Sequence, residues 1–437
     1  MRLERIASMG SKVSQSRRWA WPKWHKGLYI GLGFKRWLVL LFFGVVLILV
    51  GWTLLLVEYL APSQSFPLWR ISGHAVQGFL IGAMGVALVL FALARLSRTI
   101  VSAFATPDAS FVEALYRKRV RHQGPKIVAL GGGTGLATLL RGLKEYTTQL
   151  TAVVTVADDG GSSGRLRREL GILPPGDFRQ CLAALADAEP LMTSLLQYRF
   201  GGGSGLDGHS FGNLLIVAMA GITGSFERAL RESSRVLAVR GQVLPSTLYR
   251  VTLCAEKQTP DLERVTGESA IPKHKGPIVR VYLEPDHAPA YPDVVRAILE
   301  ADLIIAGPGS LYTSVMPNLL VQDIQNALRA SHAAKIYICN IATQPGETDH
   351  FSVEDHLQAL EQHVGKGIFT HVLANDNLNV AWPPASSSEL VKPRERAASD
   401  PAIIFADVID VSTPWRHDAK KLARAILEWY DEYTRHN

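Results

Sequence analysis

Two long apolar runs precede everything else in the chain. Trp37–Val57 holds 21 residues without a charge, and Ile71–Ala94 holds 24 more interrupted only by His74. At 1.5 Å per helical residue, each is long enough for a hydrocarbon core of about 30 Å. Both runs are apolar on every side, which predicts membrane spans over buried helices of a soluble protein. A 36-residue leader and a 21-residue apolar stretch are too long for a cleaved signal peptide. Beyond residue 124 the pattern changes to short apolar runs alternating with helical periodicity. Lys126–Leu130, Thr151–Val156, Asp302–Ala306, Lys335–Cys339 and Thr370–Leu373 read as strands. A helix follows the first of them to about Tyr146. Strand–helix alternation predicts an α/β protein with a doubly wound, mostly parallel sheet. The paired runs Tyr249–Glu256 and Ile278–Leu283 predict an antiparallel insertion, 384–400 a loop, His417–Arg435 a terminal helix and Thr106–Gln123 a connecting helix. The chain thus divides into an arm (1–36), a two-helix hairpin (37–94), a connecting segment (95–124) and an α/β domain (125–437).

Charge sharpens this division. Residues 1–36 carry nine Lys or Arg and one acid, Glu4, a balance of +8 against +7 for all 437 residues. The remainder therefore sums to −1, and the pI of 9.2 belongs to the arm. That excludes a basic globular surface of the nucleic-acid-binding kind. Arg95, Arg98, Arg117, Lys118, Arg119 and Arg121 follow the second run, so basic residues flank the hairpin on both outer sides. The positive-inside rule then predicts a multi-pass cell-membrane protein with both flanks, and the α/β domain, in the cytoplasm. Cys181, Cys254 and Cys339 are widely spaced in apolar runs, which predicts buried free thiols.

Four polar loops follow predicted parallel strands, and so belong to one sheet edge. In the first, Gly131, Gly132, Gly133, Thr134 and Gly135 lead from a strand into a helix, a turn that offers backbone N–H groups to a phosphate. Leu136 stands where a dinucleotide fingerprint has its third glycine, and no GKS or GKT marks a P-loop. In the second, Asp158 and Asp159 precede Gly161, Ser162, Ser163 and Arg165. Paired carboxylates suit a hard cation such as Mg²⁺ or sugar hydroxyls, and the serines with Arg165 suit a phosphate. The third holds Gly307, Gly309, Ser310 and Thr313, and the fourth is Asn340–Thr348. Two further motifs add Asp177, at a helix start, and His209 with Asn213 at another. Asp158, Asp159 and His209 are the candidate catalytic groups.

Taken together, GGGTGLATLLRGLK, TVADDGGSSGRLR, PPGDFRQCL, GHSFGNLL, IAGPGSLYTSVMPNLL and CNIATQPGETD closely resemble, in order, the YvcK-like gluconeogenesis-factor family, related to the CofD phospholactate transferases. The resemblance covers about residues 125–430 and leaves the hairpin outside. It implies a Rossmann-like fold and a cytoplasmic site for a phosphorylated nucleotide compound. YvcK-like members bind nucleotide sugars such as UDP-N-acetylglucosamine and are linked to gluconeogenic growth, cell-wall precursor supply and cell shape. CofD-like relatives use a divalent metal to move phospholactate from a nucleoside diphosphate onto an alcohol. Two functions follow as expectations: a regulator that binds a nucleotide sugar without consuming it, and an Mg²⁺-dependent transferase of the 2-phospho-L-lactate type. Partners are then a nucleoside-diphosphate ligand and the membrane through residues 37–94, with no nucleic acid; self-association into a homo-oligomer is open.

Overall fold

A computed structural model describes residues 34–60, 73–101, 124–187, 190–203, 205–383, 386–394 and 401–436. Residues 1–33 of the arm, the predicted helix over 106–123 and part of the 384–400 loop lie outside them. The chain separates into two compact units, residues 1–120 and 121–437.

The first unit is a pair of helices, α1 (Phe34–Leu60) and α2 (Gly73–Val101). Within them, Val39–Val57 and Val76–Arg95 are long and apolar enough to cross a membrane. Glycine lets the two backbones touch. A Cβ on Gly51 would lie 2.7 Å from the Gly78 carbonyl oxygen, and one on Gly85 would lie 2.8 Å from that of Gly44. Close backbone approach through small residues is how helices associate where no hydrophobic effect drives them together. Trp37, near the start of α1, meets Phe91 of α2 edge-on at 5.8 Å, and the Arg95 guanidinium lies 5.9 Å from the Trp37 ring. The two outer ends of the hairpin are therefore on the same side.

The second unit is built on a parallel sheet of seven strands: β1 (Ile127–Gly131), β2 (Leu150–Val154), β3 (Gln242–Pro245), β7 (Leu303–Ala306), β8 (Ala334–Ile338), β9 (His371–Asn375) and β10 (Ala402–Ala406). The order is β10-β9-β8-β7-β1-β2-β3. Strands β1, β2 and β7 are buried throughout, as continuous apolar runs between two helical layers must be. From β1 the chain winds outward through β2 to β3, then crosses back to β7 and winds the other way. The reversal lies between β1 and β7, paired from Ile127↔Leu303 to Leu130↔Ala306. In open α/β sheets ligands bind at the carboxyl ends beside such a reversal. All four polar loops stand at that edge.

Three antiparallel strands, β4 (Thr252–Lys257), β5 (Glu263–Thr266) and β6 (Ile278–Glu284), form the insertion in the order β5-β4-β6. Strands β3, β5 and β10 are not marked by the sequence pattern, for separate reasons. β3 is a four-residue edge strand ending in Pro245, β5 is mostly polar and exposed, and β10 is only half-buried. The helix after β1 stops at Leu143, short of Tyr146, and the terminal helix begins at Ala419. Leu422, Ala423, Ile426 and Trp429 form its buried stripe. All three cysteines are free and buried, as expected.

Gly142, in the helix after β1, meets the start of the terminal helix backbone to backbone. A Cβ there would sit 2.0 Å from the Ala419 carbonyl oxygen. Overpacking of this kind costs about 1–3 kcal/mol. Gly142→Ala should lower the thermal unfolding midpoint of the detergent-solubilised chain; an unchanged midpoint would show that these two helices do not meet as described.

Candidate functional site

At the reversal, two glycine turns lie against each other. A Cβ on Gly135 would fall 2.5 Å from the carbonyl oxygen of Pro308, and a Cβ on Gly309 would be 3.4 Å from that of Gly132. Neighbouring donors hold the first turn. The Gly131 carbonyl accepts from the Thr155 N–H at 3.1 Å and from Asn318 Nδ2 at 3.0 Å. Asn318 is fully buried and also donates to the Ser314 carbonyl at 2.9 Å. Gly133 has φ +60°, a left-handed conformation that favours glycine, and the nearest atom above it is Ser314 Oγ at 3.8 Å. The helix that begins there, Gly133–Leu143, has no cap from its own N-cap residue, Gly132, and its Gly133 N–H donates to Asp177. The N–H groups of Thr134 and Gly135, in its first turn, have no carbonyl partner within the helix. They stand at the positive end of its dipole.

A cleft of about 530 Å³ opens over this turn. Its walls include Gly132–Gly135, Gly309 and Ser310, the loop 340–345, Glu347, and Trp415, Arg416 and His417 from the segment after β10. Ser310 accepts from Gln344 Nε2 at 2.6 Å, so the loops after β7 and β8 are pinned together. Trp415 is 46% exposed and Arg416 is exposed, placing an aromatic ring and a cation at the cleft of the glycine turn. His417 titrates at about 4, because burial disfavours the charged ring, against the Cys339 backbone bond that favours it. It is neutral at pH 7.

The remaining candidates surround a second centre that does not line this cleft. Asp158 accepts from the Gly160 N–H at 2.9 Å and from the Ser163 hydroxyl. Burial raises its pKa, and the Asp159 carboxylate adds to the rise. Asp159 accepts from the Ser269 N–H at 2.9 Å, tying the insertion to the β2 loop. Ser162 accepts from Asn213 Nδ2 at 3.0 Å, leaving its own hydrogen for His209 Nδ1 at 2.9 Å. Burial lowers the His209 pKa, with Arg165 adding to the effect, so the ring is neutral and suited to accept. Gly161 begins the helix that carries Ser162 and Ser163. Arg165 donates to the Asp207 carbonyl at 2.6 Å. Thr313 donates to Glu347 at 3.1 Å. Asp177 links the two centres: a Cβ on Gly132 would meet its Oδ2 at 2.6 Å, and it accepts from the Gly133 N–H. Burial first, then Asp158, pushes Asp177 up to about 6.

Four contributors carry little sequence signal. Arg167, not Arg165, braces the β2 loop: it donates to the Val156, Ala157 and Asp158 carbonyls at 3.2–3.4 Å and to Val251 at 2.6 Å. Burial, and then the charges of Asp158, Asp177 and Asp159, raise the pKa of Glu268, from the insertion, well above the usual carboxylate range. Lys257 is fully buried and donates to the His274 and Gly346 carbonyls at 2.5 and 2.8 Å, holding the insertion against the β8 loop. Arg416 comes from a segment with no motif. A basic residue in a late surface turn gains meaning only from where the chain places it.

The comparisons agree with this architecture. A family model for 2-phospho-L-lactate transferase CofD matches residues 127–422. A Nostoc sp. relative is 46% identical over 429 residues, covering 93% of each chain. The gluconeogenesis factor of Bacillus subtilis is 54% identical over 253 residues, covering 58% of this chain and 79% of its own. A crystal structure of a UPF0052 family member from Bacillus halodurans superposes with a TM-score of 0.65 at 46% identity, covering 70% of this chain and 99% of that one. The chain belongs to the gluconeogenesis-factor family and carries its CofD-like domain.

Glu347 makes the pH behaviour of the site testable. It is 6% exposed, and burial, against the Thr313 hydroxyl and the Lys257 ammonium, pushes its carboxyl up to about 7. The folded chain therefore holds this proton more tightly than the unfolded one. The contribution to stability is complete below about pH 4.5 and is lost as pH rises through about 7. Glu347→Gln stays neutral throughout. Near pH 8 it should be more stable than wild type, by roughly 1–3 kcal/mol, and the difference should close near pH 4.5. Thermal unfolding across that range checks it; a gap that widens toward acid pH would contradict the assignment.

Proposed function

We propose that this member of the gluconeogenesis-factor family is a membrane-tethered cytoplasmic sensor of a nucleotide sugar of the UDP-N-acetylglucosamine class. In this reading it binds the ligand without consuming it, and couples carbon metabolism to cell-wall precursor supply and cell shape. The observation that carries the reading is the cleft over Gly132–Gly135. One wall offers the Thr134 and Gly135 N–H groups at a helix start, suited to a diphosphate. Arg416 can neutralise a second phosphate charge, and Trp415 offers a ring face to a base. The paired acids Asp158 and Asp159 are off this cleft, each engaged with neighbouring backbone N–H groups.

One observation favours the transferase alternative. Burial, with Asp158 and Asp177 adding to it, raises the pKa of Glu268, and its buried Oε2 has no hydrogen-bond partner. Such oxygens fit a hard cation by chemistry, and Mg²⁺ is commonly held by one or two carboxylates with substrate phosphates completing its shell. Among the described residues, however, no three His, Cys, Asp or Glu converge as a metal-binding group. If Mg²⁺ binds, Asp158 and Asp177 would hold it, and it would supply charge neutralisation for a leaving diphosphate.

Two measurements test the proposal. Titration calorimetry of UDP-N-acetylglucosamine with the detergent-solubilised chain should show saturable binding in the presence of a chelator, with the ligand recovered intact. Arg416→Ala should weaken it about ten- to a hundredfold, the usual loss of a charge-assisted bond of about 1.5–3 kcal/mol. Binding that vanishes on chelation, or a product released from the sugar nucleotide, decides for the transferase. For topology, the basic flanks and the hairpin predict that protease outside sealed cells leaves residues 125–437 intact. Their digestion would overturn the cytoplasmic assignment.

A further inference from the structure

At the second centre the chain buries a charge that it does not pair. Arg179, on the helix Gly176–Leu185, is 8% exposed, and its Nε has no hydrogen-bond partner. Among the described residues its guanidinium makes no ion pair either. Arg199 repels it, and Asp158 and Asp177 attract it without bonding to it. A guanidinium cannot escape burial by giving up its proton, because it stays charged throughout the range in which proteins fold. Buried charges are kept where something pairs with them. The group that fits a planar fork of N–H donors is an oxyanion, a phosphate or a carboxylate.

The surroundings decide for phosphate. The stem of Arg179 runs beside the start of the helix Phe211–Thr223, where a Cβ on Gly212 would lie 2.7 Å from its Cγ. The next residue, Asn213, donates to Ser162 at 3.0 Å, and Ser162 is in the first turn of the helix Gly161–Leu170. That ten-residue helix has Gly160 at its N-cap and no side-chain cap. The N–H groups of Gly161, Ser162 and Ser163 have no partner within it and stand at the positive end of its dipole. Gly161 is exposed, and the space above it is open. Two more arginines gather here. Arg165 donates to the Asp207 carbonyl at 2.6 Å and Arg199 to the Gly208 carbonyl at 3.0 Å, each through one arm of its fork. The Asp158 carboxyl is turned to the Gly160 N–H and the Ser163 hydroxyl. A second buried atom without a partner is Asn213 Oδ1, an acceptor. A hydrogen phosphate carries both the acceptor oxygens that Arg179 lacks and an O–H that Asn213 could receive.

We propose that Arg179, with Arg165, Arg199 and the start of the helix Gly161–Leu170, forms a phosphate site separate from the cleft at the glycine turn. None of these residues lines that cleft. The site therefore takes a second, small ligand, either free phosphate or the phosphate end of a metabolite, and it stands whatever the cleft holds. Phosphate oxygens accept from the helix-start N–H groups and from the arginine forks. The bound ion joins three parts of the chain that otherwise meet through single hydrogen bonds: the helix of Arg179, the helix start at Gly161 and the segment from Arg199 to His209.

Calorimetry and thermal unfolding of the detergent-solubilised chain, purified without phosphate, test this. Inorganic phosphate should bind saturably and raise the wild-type unfolding midpoint. Arg179→Met, which keeps an unbranched stem and removes the charge, should abolish the rise. Arg199→Gln changes an exposed side chain and so does not depend on repacking the core. It should weaken phosphate binding about tenfold and leave the affinity for UDP-N-acetylglucosamine within about twofold. Glucose 6-phosphate in place of inorganic phosphate separates the two sources. Tighter binding of the sugar phosphate assigns the site to a metabolite, and equal or weaker binding assigns it to the free ion. Phosphate that leaves the wild-type midpoint unmoved, or a rise that survives in both arginine variants, would overturn the proposal. So would a rise that is lost in Arg416→Ala and kept in Arg199→Gln, because the phosphate would then sit in the cleft.

Discussion

The approach of two glycine turns at the sheet reversal is the constraint on which the site depends. Gly135 sits so near the Pro308 carbonyl that a methyl group would overlap it. That contact exists because β1 and β7 are neighbours although the chain between them winds out to β3 and back. It places a helix start, the loop after β7 and the loop after β8 around one cleft. The buried amide of Asn318 and the N–H of Thr155 fix the first turn through the Gly131 carbonyl. The glycine turn therefore brings backbone to one wall of the cleft, and Ser310, Trp415 and Arg416 add side chains to the others. That suits recognition of a phosphate more than proton transfer.

Around this contact the acids have a different character. Asp158, Asp177, Glu268 and Glu347 are each shifted upward chiefly by removal from water. They are linked through the insertion, which Asp159 fastens at the Ser269 N–H and Lys257 at the Gly346 carbonyl. The insertion thus joins the β2 loop to the β8 loop. A bound cation or a changed proton count would be felt on both sides of the cleft.

Much of this was legible in the sequence where the signal is local. Buried parallel strands are continuous apolar runs, and turns that need glycine show it, so β1, β2, β7, β8 and β9 and their loops stand out. The two helices long and apolar enough to cross a membrane are legible for the same reason. Roles set by long-range contact are not. Thr313 looks like a phosphate contact, yet its hydroxyl is turned to Glu347. Arg165 draws attention in its motif, but Arg167 caps the strand end. Trp415 and Arg416 belong to no pattern, and Glu268 lies 91 to 110 residues from Asp177, Asp159 and Asp158. The apolar helix Phe211–Thr223 reads as core from composition alone, and only its surroundings show that it is half-exposed.

The central claim is that the backbone of the first glycine turn holds the diphosphate. Hydrogen exchange followed by mass spectrometry, with and without UDP-N-acetylglucosamine, addresses it most directly. The account predicts added protection over Gly132–Thr138 and around Arg416, with little change at Asp158–Arg167. Protection confined to Asp158–Arg167 and Gly208–Asn213, with the glycine turn unaffected, would contradict it.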